Sequence, residues 1–222
     1  MSETLDAAPQ GAEDWAAGAE RRVLDAALTL APTSGWSQAT LLAAGRAAGL
    51  SEADVGLLMP RGPADLAALL SRRHDAAGLA ALADIDPLAL KIRERIARAV
   101  EARIDAAFAD EAALRRWAGF LALPGHAALG LRLGWESADA LWRWAGDVAA
   151  DENHYSKRAI LASILTGALA VRLQSGREAA EAFVARRIDN VMAFEKWKAT
   201  TRFRPSAALD SAARLLGRLR YR

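Results

Sequence analysis

Cysteine is absent from all 222 residues, which excludes disulfides, thiolate nucleophiles and cysteine-based metal sites. Histidine is scarce: His74, His126 and His154 are the only three. None follows a glutamate at the Glu-x-x-His spacing of a di-iron bundle, so no metal site, cofactor or catalytic residue is expected. Neither a Gly-x-Ser-x-Gly elbow nor a phosphate-binding glycine loop occurs, which removes the usual hydrolase and nucleotide motifs. Runs of β-branched residues are missing, and with them any expectation of a sheet. The opening MSETLDAAPQGAEDW has no basic or apolar signal region and no arginine, so it reads as a mobile leader over 1–15 rather than a targeting segment. No uninterrupted apolar window of about eighteen residues appears, and no membrane span is expected.

What is present is alanine and leucine in quantity, both strong helix formers. The formal net charge is +2, but it is unevenly placed. Six arginines face Asp210 alone between Thr200 and Arg222, a local +5 that leaves the first 199 residues at −3. The body is mildly acidic and the tail basic. Apolar spacing predicts helices over 16–30, 38–47, 52–58 and 63–82, with Pro32, Gly35, Gly49, Pro60 and Gly62 as stops and Ser51 and Pro63 as starts. A fifth helix from Asp86-Pro87 carries a stripe of Ile92, Ile96, Ala99, Val100, Ile104, Ala107 and Phe108. Further helices are expected over 110–122, 125–133, 134–149, 154–174 and 177–198, with Gly176 separating the last two. The chain is divided into a 1–15 leader, a 16–82 N-terminal part, an 83–199 bundle and a 200–222 basic tail.

The segment TLLAAGRAAGLSEADVGLLMPRGPADLAALL has the cadence of a helix-turn-helix. With its flanking helices it resembles the N-terminal part of TetR-family repressors, which implies an all-α, TetR-like bundle. A recognition helix needs several cations facing the phosphates and amide or guanidinium groups to read base edges. The helix SEADVGLLM offers Glu52 and Asp54 and no base, so DNA binding is not expected. A ligand-responsive regulator of the TetR type stands as the alternative reading.

The stretch LWRWAGDVAADENHYSKRAILASILTGALAVRL (Leu141 to Leu173) is the most informative. Tryptophans and a polar knot precede a helix with no charge between Arg158 and Arg172. Small residues along it (Ala159, Ala162, Ser163, Gly167, Ala168) leave room between helices, and cavities for apolar ligands are typically about 300–1,000 Å³. A pocket lined by Phe120, Leu121, Leu123, Leu133, Ile160, Leu161, Ile164, Leu165 and Ala168 is one reading; a closed core helix is the other. Trp142 and Trp144 lie about 200° apart on a helix, so one is expected inside and the other at a surface or interface.

Four blocks in order, ERRVLDAALTLAPTSGWS, FLALPGHAALGL, LWRWAGD with HYSKRAILASI, and EAFVARRIDNVM, resemble the TetR-like lipid-binding accessory proteins of ubiquinone biosynthesis. That resemblance covers roughly Glu20 to Met192. It implies a non-enzymatic homodimer that holds an isoprenoid lipid or quinone and presents it to the demethoxyubiquinone hydroxylase. It places the partner contact on Leu141, Trp142, Asp151, His154, Tyr155 and Arg158; His154 stands where many members carry tryptophan. The dimer is expected to use late helices that include Phe183 to Met192.

The tail from Ser206 is amphipathic. Leu209, Ala212, Ala213, Leu216 and Leu219 share an apolar arc of about 160°, opposite Arg214 and Arg218. Such a helix suits an anionic membrane surface, which implies a cytoplasmic protein peripheral to the inner face of a bacterial membrane. A helix folded back on the bundle is the competing reading.

Overall fold

A computed structural model describes the backbone over 10–147 and 152–200, with side-chain detail over 15–147 and 154–193. The described residues are helical, without strands. Helix α1 (Gln10–Ser34) buries Ala19, Val23, Ala27 and Ala31 at i, i+4 spacing. It starts six residues before the expected Ala16, and Pro32 sits within its last turn. Gly35, at φ +76°, ends it, a conformation open to glycine at no steric cost.

Helices α2 (Gln38–Ala47) and α3 (Glu52–Leu58) have the expected bounds, and both are held at their starts by serine. Ser37 Oγ accepts the Thr40 N–H at 3.2 Å. Ser51 and Asp54 exchange bonds in a capping box. Pro63 opens α4 (Pro63–Ala80) at its first helical position. Asp86 then caps a single 3-10 turn (Pro87–Ala89) rather than the fifth helix, and α5 (Ile92–Phe108) begins only after Lys91. The expected stripe is buried from Ile96 to Ala107, but Ile92 is exposed and Phe108 is half-buried.

Helix α6 (Glu111–Leu121) is followed by a 3-10 turn (Pro124–His126) and α7 (Ala127–Trp144). The expected break at Gly134 does not occur. A Cβ there would sit 3.8 Å from both Ala162 Cβ and Thr166 Oγ1, ordinary contact, so α8 packs beside this turn without requiring glycine, and the helix runs through it despite the weak propensity of that residue. Helix α8 (Glu152–Thr200) is interrupted at Gly176, with φ 83° and ψ −177°, a region essentially restricted to glycine. Phe183 after the break lies against Gly167 before it. The chain thus doubles back as a helical hairpin.

Two apolar clusters result. One joins α1 to α4, α6 and Leu133; the other joins α5, the end of α7 and both arms of α8. A buried polar group ties α4, α5 and α7 together: Asp75 accepts from Arg103 and, at 2.7 Å, from Ser137 Oγ. Gly78 packs directly on the Arg103 backbone, where an added Cβ would come within 2.8 Å of Cα.

Helix α8 departs from the expectation that nothing could span a membrane. By length and composition alone its stretch His154–Ala193 is long and apolar enough to cross one, although the chain doubles back at Gly176 within it. Arg158 and Arg172 nonetheless tie it to carboxylates of α7 and α5.

Candidate functional site: the α7–α8 clasp and its apolar face

Arg158 is the largest fully buried side chain among the described residues, 2 % exposed. A guanidinium keeps its charge at any ordinary pH, so burying it requires anionic partners. Its Nε donates to Asp139 Oδ1 at 2.6 Å, and its Nη1 to Asp147 Oδ2 at 3.1 Å and the His154 carbonyl at 3.2 Å. Lys157 Nζ donates to Asp147 Oδ1 at 2.8 Å, and Arg143 pairs with Asp139. The Trp142 indole N–H donates to the Lys157 carbonyl at 3.1 Å, with the Lys157 ammonium 5.5 Å from the ring centroid. These contacts clasp the end of α7 to the start of α8. Burial alone would raise the Asp147 pKa; bonds and charges from Lys157 and Arg158 outweigh it and hold the carboxyl below its ordinary value.

The clasp sorts the expected partner-contact residues. Tyr155 is 67 % exposed, His154 is half-buried and stacks edge-on to it, and Trp135 of α7 lies 6.1 Å from the tyrosine ring. Trp142 is half-buried. Leu141 and Arg158 are interior in this chain, with Arg158 bonded within the clasp beside the exposed Tyr155. Asp151 lies outside the described residues. Trp142 and Trp144 do not divide into one inside and one outside, because both are half-buried and pack against the second cluster.

The expected lipid-lining residues do not form one chamber. Leu161, Ile164, Leu165 and Ala168 belong to the second cluster, whereas Leu133 is in the first, with Phe120 and Leu121 packed against it. Phe120 stacks on His126 at 3.8 Å, and its carbonyl is 2.8 Å from the imidazole Nδ1. Leu123 and Ile160 are exposed. Two cavities lie elsewhere. One of about 120 Å³ has an apolar wall of Ala97, Ile104, Ala180 and Val184, between α5 and the second arm of α8. The other, about 360 Å³, opens beside Gly176 between Phe108, Arg115, Arg172 and Arg177. Neither is lined by any expected lipid residue.

What α7 and α8 do share is an uncovered apolar face. Leu131, Tyr155 and Ile160 are exposed, as are Ala159, Ser163, Thr166 and Ala170. Only 22 % of the most apolar stretch of α8 is buried. The tail residues Leu209, Ala212, Ala213, Arg214, Leu216, Arg218 and Leu219 lie outside the described residues, as does most of the leader.

At the other end, α3 presents Glu52, exposed and 3.5 Å from Arg46, and Leu57, 82 % exposed. An acidic and apolar helix face repels phosphates rather than binding them. Among the described residues, no three His, Asp or Glu side chains gather as ligands for a metal.

Sequence reasoning singled out Arg158 but missed Asp139. The available signal was a charge inside an otherwise apolar helix, which demands a buried counter-ion from a neighbouring element. No curated protein matches the chain. Residues 127–195, which span α7, the clasp, the apolar face and most of α8, match the model of the COQ9 family, a family of ubiquinone biosynthesis accessory proteins.

Proposed function

We propose that this chain serves ubiquinone biosynthesis as a non-enzymatic accessory protein. In this reading it binds an isoprenoid quinone precursor and presents it, at a membrane, to a hydroxylase such as the demethoxyubiquinone hydroxylase. The observation that carries the reading is the uncovered face of α7 and α8, which lies within the segment that matches COQ9. Apolar surface left open to water is unfavourable by roughly 25 cal/mol per Å²; a prenyl tail, a partner or a second copy of the chain covers it.

The task is one of solvation. A polyprenylated precursor is too insoluble to reach a protein active site through water. An apolar face takes up the tail, while Tyr155 and His154, fixed by the clasp, meet the hydroxylase beside the headgroup. A homodimer through the later part of α8 and membrane contact through the 206–222 tail belong to the same proposal.

The chain has seven tryptophans, and quinones quench indole fluorescence, so titration with a short-tail ubiquinone tests lipid uptake directly. Saturable quenching supports the reading; quenching no different from that of free tryptophan contradicts it. For the partner step, Tyr155→Asp is expected to lose capture of the hydroxylase while keeping the wild-type melting temperature. Unchanged capture would remove the patch from the proposal.

A further inference from the structure

The break in α8 at Gly176 leaves space on both sides of the turn, and the two cavities described above share a wall there. Arg172, the last charged residue before the glycine, and Arg177, the first after it, line both. On one side, Ala97, Glu101 and Ile104 of α5 face Ala180 and Val184 of α8, residues that helical spacing places on single faces. The short side chains at 97 and 180 leave the slot of about 120 Å³ between them. Apolar cavities of about 150 Å³ take up benzene, so this slot suits a group of about five or six carbons. On the other side lies the cavity of about 360 Å³, within the roughly 300–1,000 Å³ range of small-molecule sites. A Cβ added at Gly176 would meet nothing within 4 Å, so the space beside the turn is open.

The larger cavity has three guanidiniums on its wall, those of Arg115, Arg172 and Arg177, against the one carboxylate of Glu111. Glu111 pairs with Arg115 at 2.7 Å. Glu101 and Glu181 line the slot instead, at 3.7 and 3.4 Å from Arg177, which is half-exposed. Asp105 accepts from both Arg172 and Arg177. Burial alone would raise the Asp105 pKa; bonds and charges from the two arginines outweigh it and keep the group ionised. Arg172 is therefore the cation least provided for. Its side chain is 12 % exposed and lies 4.2 Å from the Phe108 ring centroid. Arg158, buried in the clasp, meets two carboxylates, whereas among the described residues Arg172 meets Asp105, already shared with Arg177.

We propose that the two cavities form a binding site for a small amphiphilic carboxylate. Its head enters the larger cavity and accepts from Arg172 and Arg115, in the fork geometry that guanidinium offers a carboxylate. Its apolar group lies past the shared arginine wall, in the slot between α5 and the second arm of α8. A single negative charge completes the wall of the larger cavity, while a dianion would crowd Glu111. The site shares no residue with the exposed α7–α8 face, so the inference stands apart from the quinone reading.

Heptanoate joins a carboxylate to six carbons and is the probe of matching size. Titrated into the isotope-labelled full-length protein, it is expected to shift the amide signals of Ala97, Gly176, Arg177 and Ala180 saturably. Heptylammonium and inorganic phosphate are expected to leave those signals in place. Each methylene removed from the acid should weaken binding about fourfold. Arg172→Gln should weaken it about tenfold or more. Ala97→Leu, at a half-buried position, fills the slot without touching an arginine and should bring heptanoate down to the affinity of butyrate. No saturable shift at those amides, or heptanoate binding unchanged by Ala97→Leu, would overturn the proposal. An equal response to heptylammonium or phosphate would overturn the carboxylate assignment. Shifts confined to the surroundings of Leu131 and Ile160 would overturn this site and leave the quinone reading standing.

Discussion

Arg158 and His74 illustrate two outcomes of burying a nitrogen-rich side chain. Arg158 stays charged because Asp139 and Asp147 surround it. Arg158→Met leaves those carboxylates without their main counter-ion, and loss of one partner of a buried pair costs about 3–5 kcal/mol. Urea unfolding should show a loss of that order, and a change under about 1 kcal/mol would mean that the clasp is not a strong tie. His74 stays neutral: burial first, then the charges of Arg103 and Arg73, push its pKa down to about 3 from 6.5. The folded state therefore binds fewer protons than the unfolded chain between those values, and stability falls as pH drops below 6.5. Between pH 7 and pH 5 the chain should lose about 2 kcal/mol from this group. His74→Leu should flatten that slope, and an unchanged slope would assign it to other groups. Asp147 adds a lower window. Its depressed pKa contributes stability above the ordinary carboxylate range that is lost on acidification through and below it.

At the scale of elements, local chemistry set most boundaries. Ser51 with Asp54, Pro63 at its helix start, and Gly49 at φ +77° each act within a few residues, so α2 and α3 were readable directly. Gly134 and Ile92 were not. The first falls at an expected helix boundary, yet α7 runs through it, packed beside Ala162 and Thr166 of α8, which is distant in sequence. The second has core spacing but begins its helix at an open end of the bundle. The clasp was half-legible for the same reason: Arg158 stands out in one dimension, whereas Asp139 becomes its partner only when α7 and α8 run side by side. The lipid-lining residues shared a plausible pattern but fall in two clusters, a partition that periodicity does not record.

Gly176 offers a test at this scale. Alanine at φ 83°, ψ −177° is strained by about 1–3 kcal/mol. Gly176→Ala should lower the melting temperature and loosen the contact of Phe183 with Gly167, read as faster hydrogen exchange in the second arm of α8. Wild-type exchange in that arm would show that the hairpin does not depend on the glycine.

Across the whole molecule, a helix-turn-helix and a long apolar helix share one bundle, with little at the first end suited to DNA. Glu52, Leu57 and the capped Asp54 occupy the helix that would face a groove. In 50 mM salt the chain should therefore give no mobility shift with duplex DNA, and a salt-dependent shift would favour the regulator reading instead. The other end holds the clasp of Asp139, Asp147, Lys157 and Arg158 beside the exposed Tyr155.

The central claim is that the α7–α8 face takes up an isoprenoid lipid, and mass spectrometry of organic extracts from the purified full-length protein tests it most directly. The account predicts a polyprenylated quinone or precursor enriched over an equally purified helical control, and lost when Leu131 and Ile160 are both replaced by aspartate. An extract containing no isoprenoid above the control, from protein that is folded and unaltered, would contradict it.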